Sequence, residues 1–540
     1  MKIDSVPFSK LSFSKLFVDY IDGKDEITKF FNVHPFKPHQ VNQFEKEFVF
    51  QGQRVEIVRL LKEFNSHFVQ TESSKTNIEN LGRDDALAVV TGQQLTIFGG
   101  PLFTIYKVLT TISLSSKWEK KYKRPFIPVF WLADEDHDFE EAATIGLPGT
   151  DSLTRIQWTK KQNGERRAAE IELMNGFEQF ESEVWKQLYE TEFSKELKSS
   201  LAGCYTSGTT ISQAFGNWLM KLFGHHGLVL AGSNFKPVKE YSKNVISVSV
   251  TNHRKIFDTL ASSSSALEDS GYHAQVQVQA SNLFSIDANG NRIKIDYSDG
   301  SWKVGGAEKR VFSGDELESE IEVTPHLFSP NVFLRPLVQD TLLPTFAYIG
   351  GPSEVAYQAQ MKDLYEELGM AQPLIVPRFS ASLVESSIDR IMEQLPFRFY
   401  RYNDRIEELE SEYISMTDSP DLEKIFIGVK TKVDDITALL KEKISDIDPT
   451  LENTAGKASA IYTTELDKLK GKLYRSLKQQ EKTQLSRIRR IKHSLFPESN
   501  LQEREIAFIW FMNKYGLDLW DKLLETLSTE DPVNHKVIQL

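Results

Sequence analysis

One cysteine, Cys204, stands in 540 residues. That excludes a disulfide framework and fits a reducing compartment. Long apolar runs are missing too. No window approaches the ~20 residues that a membrane span requires, and Met1 to Tyr20 carry no apolar stretch of signal-peptide length. The expectation is a cytoplasmic protein with no membrane partner. Nor is there a general excess of basic charge: the formal net charge is −12, which argues against nucleic acid as a partner, although Arg487, Arg489, Arg490 and Lys492 gather locally. Histidines and cysteines at zinc-like spacing are lacking, so no metal is expected except Mg²⁺ accompanying a nucleotide. His225-His226, without ligand partners nearby in sequence, reads as loop structure. Cys204 has no neighbouring base, a poor setting for a nucleophile. What remains is ordinary for a globular chain, 40% hydrophobic and 26% charged. Its length predicts two or three domains.

The most informative stretch runs from Asp85 to Glu141. An apolar strand, Ala86 to Val90, leads into Thr91-Gly92-Gln93-Gln94 and on through Gly99-Gly100-Pro101. A helix over Leu102 to Tyr122 follows, then a strand over Phe126 to Ala133 that ends in Asp134-Glu135-Asp136-His137-Asp138. A buried strand handing a glycine-rich turn to a helix N-terminus converges free N–H groups and the helix dipole on one point. Carboxylates and an imidazole ending the next strand arrive at the same sheet edge, where open α/β sheets bind ligands. This is the layout of an active site.

Around this unit the chain divides by pattern. Residues 1 to about 84 read as helical, with Val55, Val58, Leu61 and Phe64 at helical spacing. Short strands are predicted at Arg155–Trp158 and Ala169–Leu173 about an Asn163-Gly164 turn, and at Ala274–Val278 before turns at Asn289-Gly290 and Asp299-Gly300. These read as β-rich insertions, at approximately 150–205 and 250–330, in a parallel core spanning 1–380. The core resumes with a strand over Leu343 to Ile349, a Gly350-Gly351-Pro352 turn, a helix from Ser353 to Leu368 and a strand over Pro373 to Val376. From Leu422 to Ile447, and again from Leu466, apolar residues step by three or four, predicting an antiparallel coiled-coil arm within 381–510. Residues 511–540 read as a helical tail packing on core or arm.

Each candidate residue has a plain reading beside the functional one. Gly92, Gly99 and Gly100 serve turn geometry or face a ligand; Gln93 and Gln94 offer uncharged donors and acceptors for the latter. The acidic cluster either caps a helix or crowds carboxylates around His137 for proton transfer or ammonium binding, with Asp136, His137 and Asp138 the candidates. Arg335 and Arg378, each beside a proline, either pack at element ends or clamp a carboxylate. Gln502, Glu503 and Arg504 either cap a helix or build a second ligand site, one for a nucleotide.

Ordered blocks carry a family resemblance. They are Thr91-Gly92-Gln93-Gln94, Gly99-Gly100-Pro101-Leu102 and Tyr106-Lys107, then Pro128 to Asp138, Ser329-Pro330-Asn331, Arg335-Pro336 and Gln339-Asp340. Gly351-Pro352, Glu354, Tyr357-Gln358, Pro377-Arg378, Leu495-Phe496-Pro497 and Leu501 to Arg504 continue the series. Together they resemble the cysteine-adding enzymes of bacillithiol biosynthesis. The resemblance implies a Rossmann-like α/β core with connecting insertions, a C-terminal α-helical coiled coil and a homodimer formed through it. It also implies a ligase that joins the carboxyl of L-cysteine to the amine of glucosaminyl-malate. On this reading Gln94, Asp136, His137 and Asp138 are catalytic. Thr91, Gly92, Gln93, Gly100, Tyr106, Arg335, Gln339, Gly351, Glu354, Tyr357 and Arg378 bind substrate, and Gln502 and Arg504 form the second nucleotide site. ATP or ADP is the cofactor in question. The chain departs from class I synthetases in lacking the His-x-Gly-His pair after the first strand, so adenylate chemistry enters as analogy. The alternatives are a coiled-coil nucleotide-binding protein or a class I nucleotidyl-transferase-like enzyme with another substrate.

Overall fold

The structure is a computed structural model that describes all residues except 150–151, 160–166, 175, 306–308 and 417–421. The Asn163-Gly164 turn lies outside the described residues. Two compact units are present, one comprising Met1–Leu383 with Gln502–Ile538, the other Val384–Leu501 with Gln539–Leu540. The tail therefore belongs to the first unit from Gln502 to Ile538. It ends in a strand, not only in helices: His535–Gln539 is the middle strand of a three-stranded sheet, between Lys2–Val6 and Ser380–Val384.

The core of the first unit is a five-stranded sheet of β1 (Leu87–Gln94), β2 (Phe126–Ala133), β3 (Val229–Gly232), β4 (Thr345–Gly350) and β5 (Leu374–Pro377). Its order is β5-β4-β1-β2-β3, and every pairing is parallel. Such strands are covered on both faces, which is why they read as unbroken apolar runs. Alternate side chains serve opposite layers. Ala88, Val90, Ile127, Val129 and Trp131 join the larger core, while Leu87, Val89, Phe126 and Ile349 pack with Phe44, Leu114 and Trp118 in the other.

The helix predicted over Leu102–Tyr122 has those bounds. Pro101 precedes it, and Lys123, left-handed at φ 57°, ends it. The first strand, however, runs on through Thr91-Gly92-Gln93-Gln94, which pair with Phe130 to Ala133. These four residues are thus a polar strand end and not a loop. The glycine-rich turn lies beyond them, at Leu95–Pro101. Gly99 and Gly100 have φ of 89° and 73°, a region where only glycine is unstrained. A Cβ on Gly99 would collide with the Phe508 ring, and one on Gly100 with Thr96. Tail residues seal this turn, with Leu102 N donating to Ile506 O at 3.0 Å and Phe508 N to Gly100 O at 3.1 Å.

Other expectations are corrected. Arg155–Trp158 does not pair with Ala169–Leu173; the strand Leu153–Gln157 pairs antiparallel with Thr144–Pro148, and Ala168–Glu170 is a 3-10 turn. Among its described residues the 150–205 insertion otherwise carries helices at Phe177–Gln187 and Ser194–Ala202, where the sequence reads as helical from roughly Gly176 to Leu201. Ala274–Val278 is irregular despite its alternation, because the Gln360 amide binds both the N–H and the C=O of Val276, at 3.0 and 2.9 Å. The β character of the second insertion lies in a five-stranded antiparallel sheet built from Leu283–Ile286, Arg292–Ser298, Ser301–Val304, Arg310–Phe312 and Phe328–Pro330. Its turns fall at the predicted Gly290 (φ 82°) and Asp299-Gly300 (φ 53° and 73°). The predicted helix from Ser353 to Leu368 is two, Pro352–Gln358 and Lys362–Glu367. Val55, placed on an apolar face by spacing, is 85% exposed, while Ile57, Leu60, Leu61 and Phe64 are buried.

In the second unit, helices Leu422–Ile447 and Glu452–Gln480 run antiparallel, with Lys430 on Asp467 at 2.7 Å and Lys470 on Glu423 at 2.5 Å. Many apolar residues of this pair face solvent, among them Ile427, Ile436, Leu439 and Ile461. Buried Glu410 holds Lys478 at 3.1 Å and Arg489 Nε at 2.7 Å.

Candidate active site

Between β1 and β4 the sheet order reverses, and a cavity of about 660 Å³ opens at the C-terminal ends of β1, β2 and β4. This switch point is where open α/β sheets leave a crevice for ligands.

One wall is built on Lys107, buried in the second turn of the helix Leu102–Tyr122. Its ammonium donates to Gly92 O at 2.6 Å and Gln93 Oε1 at 2.9 Å, and pairs with Glu354. Glu354 also accepts from Gly351 N at 2.8 Å and from the Tyr348 hydroxyl at 2.6 Å. Burial alone would raise this carboxyl, but the Lys107 charge and the Gly351 N–H outweigh it and hold Glu354 below its ordinary value. Arg335 donates to the Tyr357 hydroxyl at 3.0 Å. Arg378 is held by Glu503 Oε1 at 2.8 Å and by Phe379 O at 2.7 Å; Glu503 in turn accepts from Ser380 Oγ at 3.0 Å and Ala381 N at 2.9 Å.

The acidic cluster follows directly on the end of β2, divided by role. Asp134 accepts from Ser233 N and Asn234 N at 3.1 and 3.0 Å, and burial with the Glu135 charge beside it raises its carboxyl to about 7. Glu135 pairs with buried Lys239 and accepts from Ser233 Oγ. Asp136 faces the cavity and accepts from Gln94 Nε2 at 2.6 Å; its other oxygen takes the His137 N–H at 2.7 Å. Asp138 caps the short helix Phe139–Ala142 through Glu141 N at 3.0 Å. Glu141 reaches the cavity, where lost hydration and the charges of Asp138 and Asp136 raise its carboxyl. Arg292 stacks over Phe284 at 3.8 Å and is oriented by Ser329 Oγ and Pro330 O at 3.0 and 2.8 Å.

The structure brings Gly92, Gln93, Gln94 and Asp136 together with Arg335, Gly351, Glu354, Tyr357, Arg378 and Arg504 around one cavity. Other predicted residues fall outside its lining. Thr91 spends its hydroxyl on Ile349 O at 2.9 Å, and Gly100 shapes the turn. Tyr106 is fully buried with its hydroxyl unpartnered. Gln339 donates to Asp340 at 3.0 Å. His137 sits behind Arg292, at 3.5 Å, and Asp138 is a cap. Gln502 and Arg504, expected to share a second site, separate: the Gln502 amide binds the N–H and C=O of Leu383 at 2.8 and 3.0 Å, while Arg504 lines the main cavity. Sequence reasoning missed Lys107, Tyr348, Glu141 and Arg292 as cavity residues. A lysine within an apolar helix was a usable signal for Lys107; Arg292, inside an insertion, offered none.

Two family profiles cover the chain. "Bacillithiol biosynthesis BshC, N-terminal Rossmann-like domain" matches residues 1–379, and the C-terminal coiled-coil domain of the same family matches 381–540. The chain belongs to the BshC family. Relatives named "Putative cysteine ligase BshC" include that of Salinibacter ruber, 31% identical over 98% of this chain and 96% of the relative. The Chlorobaculum tepidum protein is 32% identical over 98% of both chains, and that of Bacillus cereus strain ATCC 10987 is 26% identical over 96% and 97%. In this BshC chain the Rossmann-like match holds the parallel sheet and every cavity-lining residue but Arg504, and the coiled-coil match holds the paired helices together with the tail that returns to the first unit.

Proposed function

We propose that the chain is a cytoplasmic ligase that forms the amide between the carboxyl of L-cysteine and the amine of glucosaminyl-malate. The supporting observation is the mixed charge of one cavity lining, in which the carboxylates of Asp136 and Glu141 stand with the guanidinium groups of Arg335, Arg378 and Arg504. An amine attacks only after losing its proton. Glu141, whose carboxyl is raised, suits the base, with Asp136 and the Gln94 amide orienting the ammonium before transfer. Arg335 and Arg378 suit the malate carboxylates, because guanidinium forks match carboxylate geometry. A carboxylate cannot be displaced by an amine without a leaving group, and ATP as co-substrate is the class of molecule that supplies one; the same cations fit its phosphates.

The test is mass spectrometry of purified full-length chain incubated with L-cysteine, glucosaminyl-malate and ATP, which should show the cysteinyl amide. Asp136→Asn and Gln94→Ala, which remove orienting groups, should each lower turnover by about 10²-fold while melting stays unchanged. Wild-type turnover in both variants would move the active site elsewhere. A binding scaffold with no enzymatic role would yield no product at all.

The homodimer is proposed through the paired helices, whose exposed Ile427, Ile436, Leu439 and Ile461 present apolar surface that two helices leave uncovered. Light scattering at micromolar concentration should report twice the chain mass; a monomer there would refute it.

A further inference from the structure

Outside the cavity, three metal-ligating side chains converge on one point. The helix Ile211–Phe223 ends in a 3-10 turn, Gly224–His226, which places two consecutive imidazoles at the surface with ring centroids 4.0 Å apart. Opposite them is Asp521, on the tail helix Leu519–Leu527. Its Oδ1 lies 3.2 Å from His225 Nε2 and 2.7 Å from His226 Nε2. The possible ligating atoms of all three residues lie within 4.8 Å of one another.

We propose that His225, His226 and Asp521 form a binding site for a divalent transition cation of the zinc class. Bonds of about 2.0–2.1 Å in tetrahedral geometry put ligand atoms about 3.3 Å apart, so small side-chain shifts would seat the ion. Two imidazoles and one carboxylate are the ligand set of an open zinc site, whereas Mg²⁺ and Ca²⁺ select oxygen. The fourth position has room: His226 and Asp521 border a surface cavity of about 870 Å³, and Glu525, one helical turn beyond Asp521, lines it as well. Sequence spacing could not reveal this set, because Asp521 lies 295 positions from His226. The ion bridges the 3-10 turn and the tail helix within the first unit. A cation with no affinity for the unfolded chain raises the folding equilibrium constant about a hundredfold at a hundred times its dissociation constant, which sets the upper bound for zinc here.

The test uses tag-free full-length protein, stripped with EDTA and titrated with zinc alone by calorimetry. One equivalent per chain should bind, and zinc but not magnesium should raise the melting temperature. His226→Ala and Asp521→Asn should each weaken zinc at least about tenfold and abolish the melting shift. Asp521→Asn preserves side-chain size, and its melting curve without metal reports whether the fold is intact. A wild-type chain that binds no zinc overturns the proposal. So do variants that bind with wild-type affinity and stoichiometry, because the ion then sits elsewhere.

Discussion

Lys107→Met is expected to lower turnover by about 10²–10³-fold, the usual cost of removing one preorganised charged donor from an enzyme site. Methionine keeps the length and apolar stem of lysine but removes the ammonium that holds Gly92 O, Gln93 Oε1 and Glu354. Glu354 is then left without its counter-charge against the cavity wall. Lys107 is buried but Glu354 only half-buried, so the stability cost should fall below the about 3–5 kcal/mol typical of breaking a fully buried pair. The double variant Lys107→Met/Glu354→Gln separates the two effects. It leaves no lone buried charge, so urea denaturation should show most of the stability restored. Turnover should stay low, because Gln93 and the Gly92 carbonyl have lost the group that fixes them at the strand end. A double variant that regains turnover along with stability would reduce the pair to a structural role.

The second large effect concerns acid. His535 is fully buried between Ser380 Oγ at 2.8 Å and Ser382 Oγ at 3.0 Å, and burial depresses its imidazole from 6.5 to about 4. Between these values the unfolded chain binds a proton that the folded chain refuses. The stability tied to this group is therefore complete above pH 6.5 and is lost as pH falls towards 4, about 3 kcal/mol in all. Two buried carboxyls act in the opposite sense. Asp134, raised to about 7, and Asp340, raised to about 6, both chiefly by burial, lose stability as pH rises through the same window. The wild-type curve alone mixes these terms; a comparison with His535→Asn isolates one. The variant should be less stable than wild type at neutral pH, and that gap should narrow by about 3 kcal/mol between about pH 7.5 and pH 4 in urea titrations. A gap that stays constant with pH would mean that the folded-state imidazole titrates normally.

Legibility in the sequence followed the range of the forces involved. Leu102–Tyr122 and Phe126–Ala133 were readable to the residue because both have sharp ends: Pro101 opens the helix, and the strand is a short apolar run between Pro125 and Asp134. Thr91 to Gln94 were misread as loop because their strand character comes from pairing with Phe130 to Ala133, which no local pattern records. Ala274–Val278 failed in the opposite direction: the alternation is present, but a distant glutamine takes the hydrogen bonds that a neighbouring strand would have made. In the cavity, residues at the ends of β1, β2 and β4 were found, since strand ends mark a sheet edge. The partners that orient them, such as Glu503 behind Arg378 or Ser329 behind Arg292, come from remote positions and were visible only once the chain was folded.

The return of Gln502–Ile538 to the first unit sets an order of events during synthesis. While residues up to 501 emerge, the three-stranded sheet lacks its middle strand and the turn at Gly99-Gly100 lacks the Phe508 ring that packs on it. Arg378, already in place beside the cavity, has no Glu503 to hold it. The coiled-coil unit is translated before the unit that flanks it in sequence can close, so the nascent chain passes through a stage in which the coiled-coil helices are complete and the unit holding the cavity is unfinished. The lining of the cavity is complete only when Arg504, made after every other residue that lines it, has emerged.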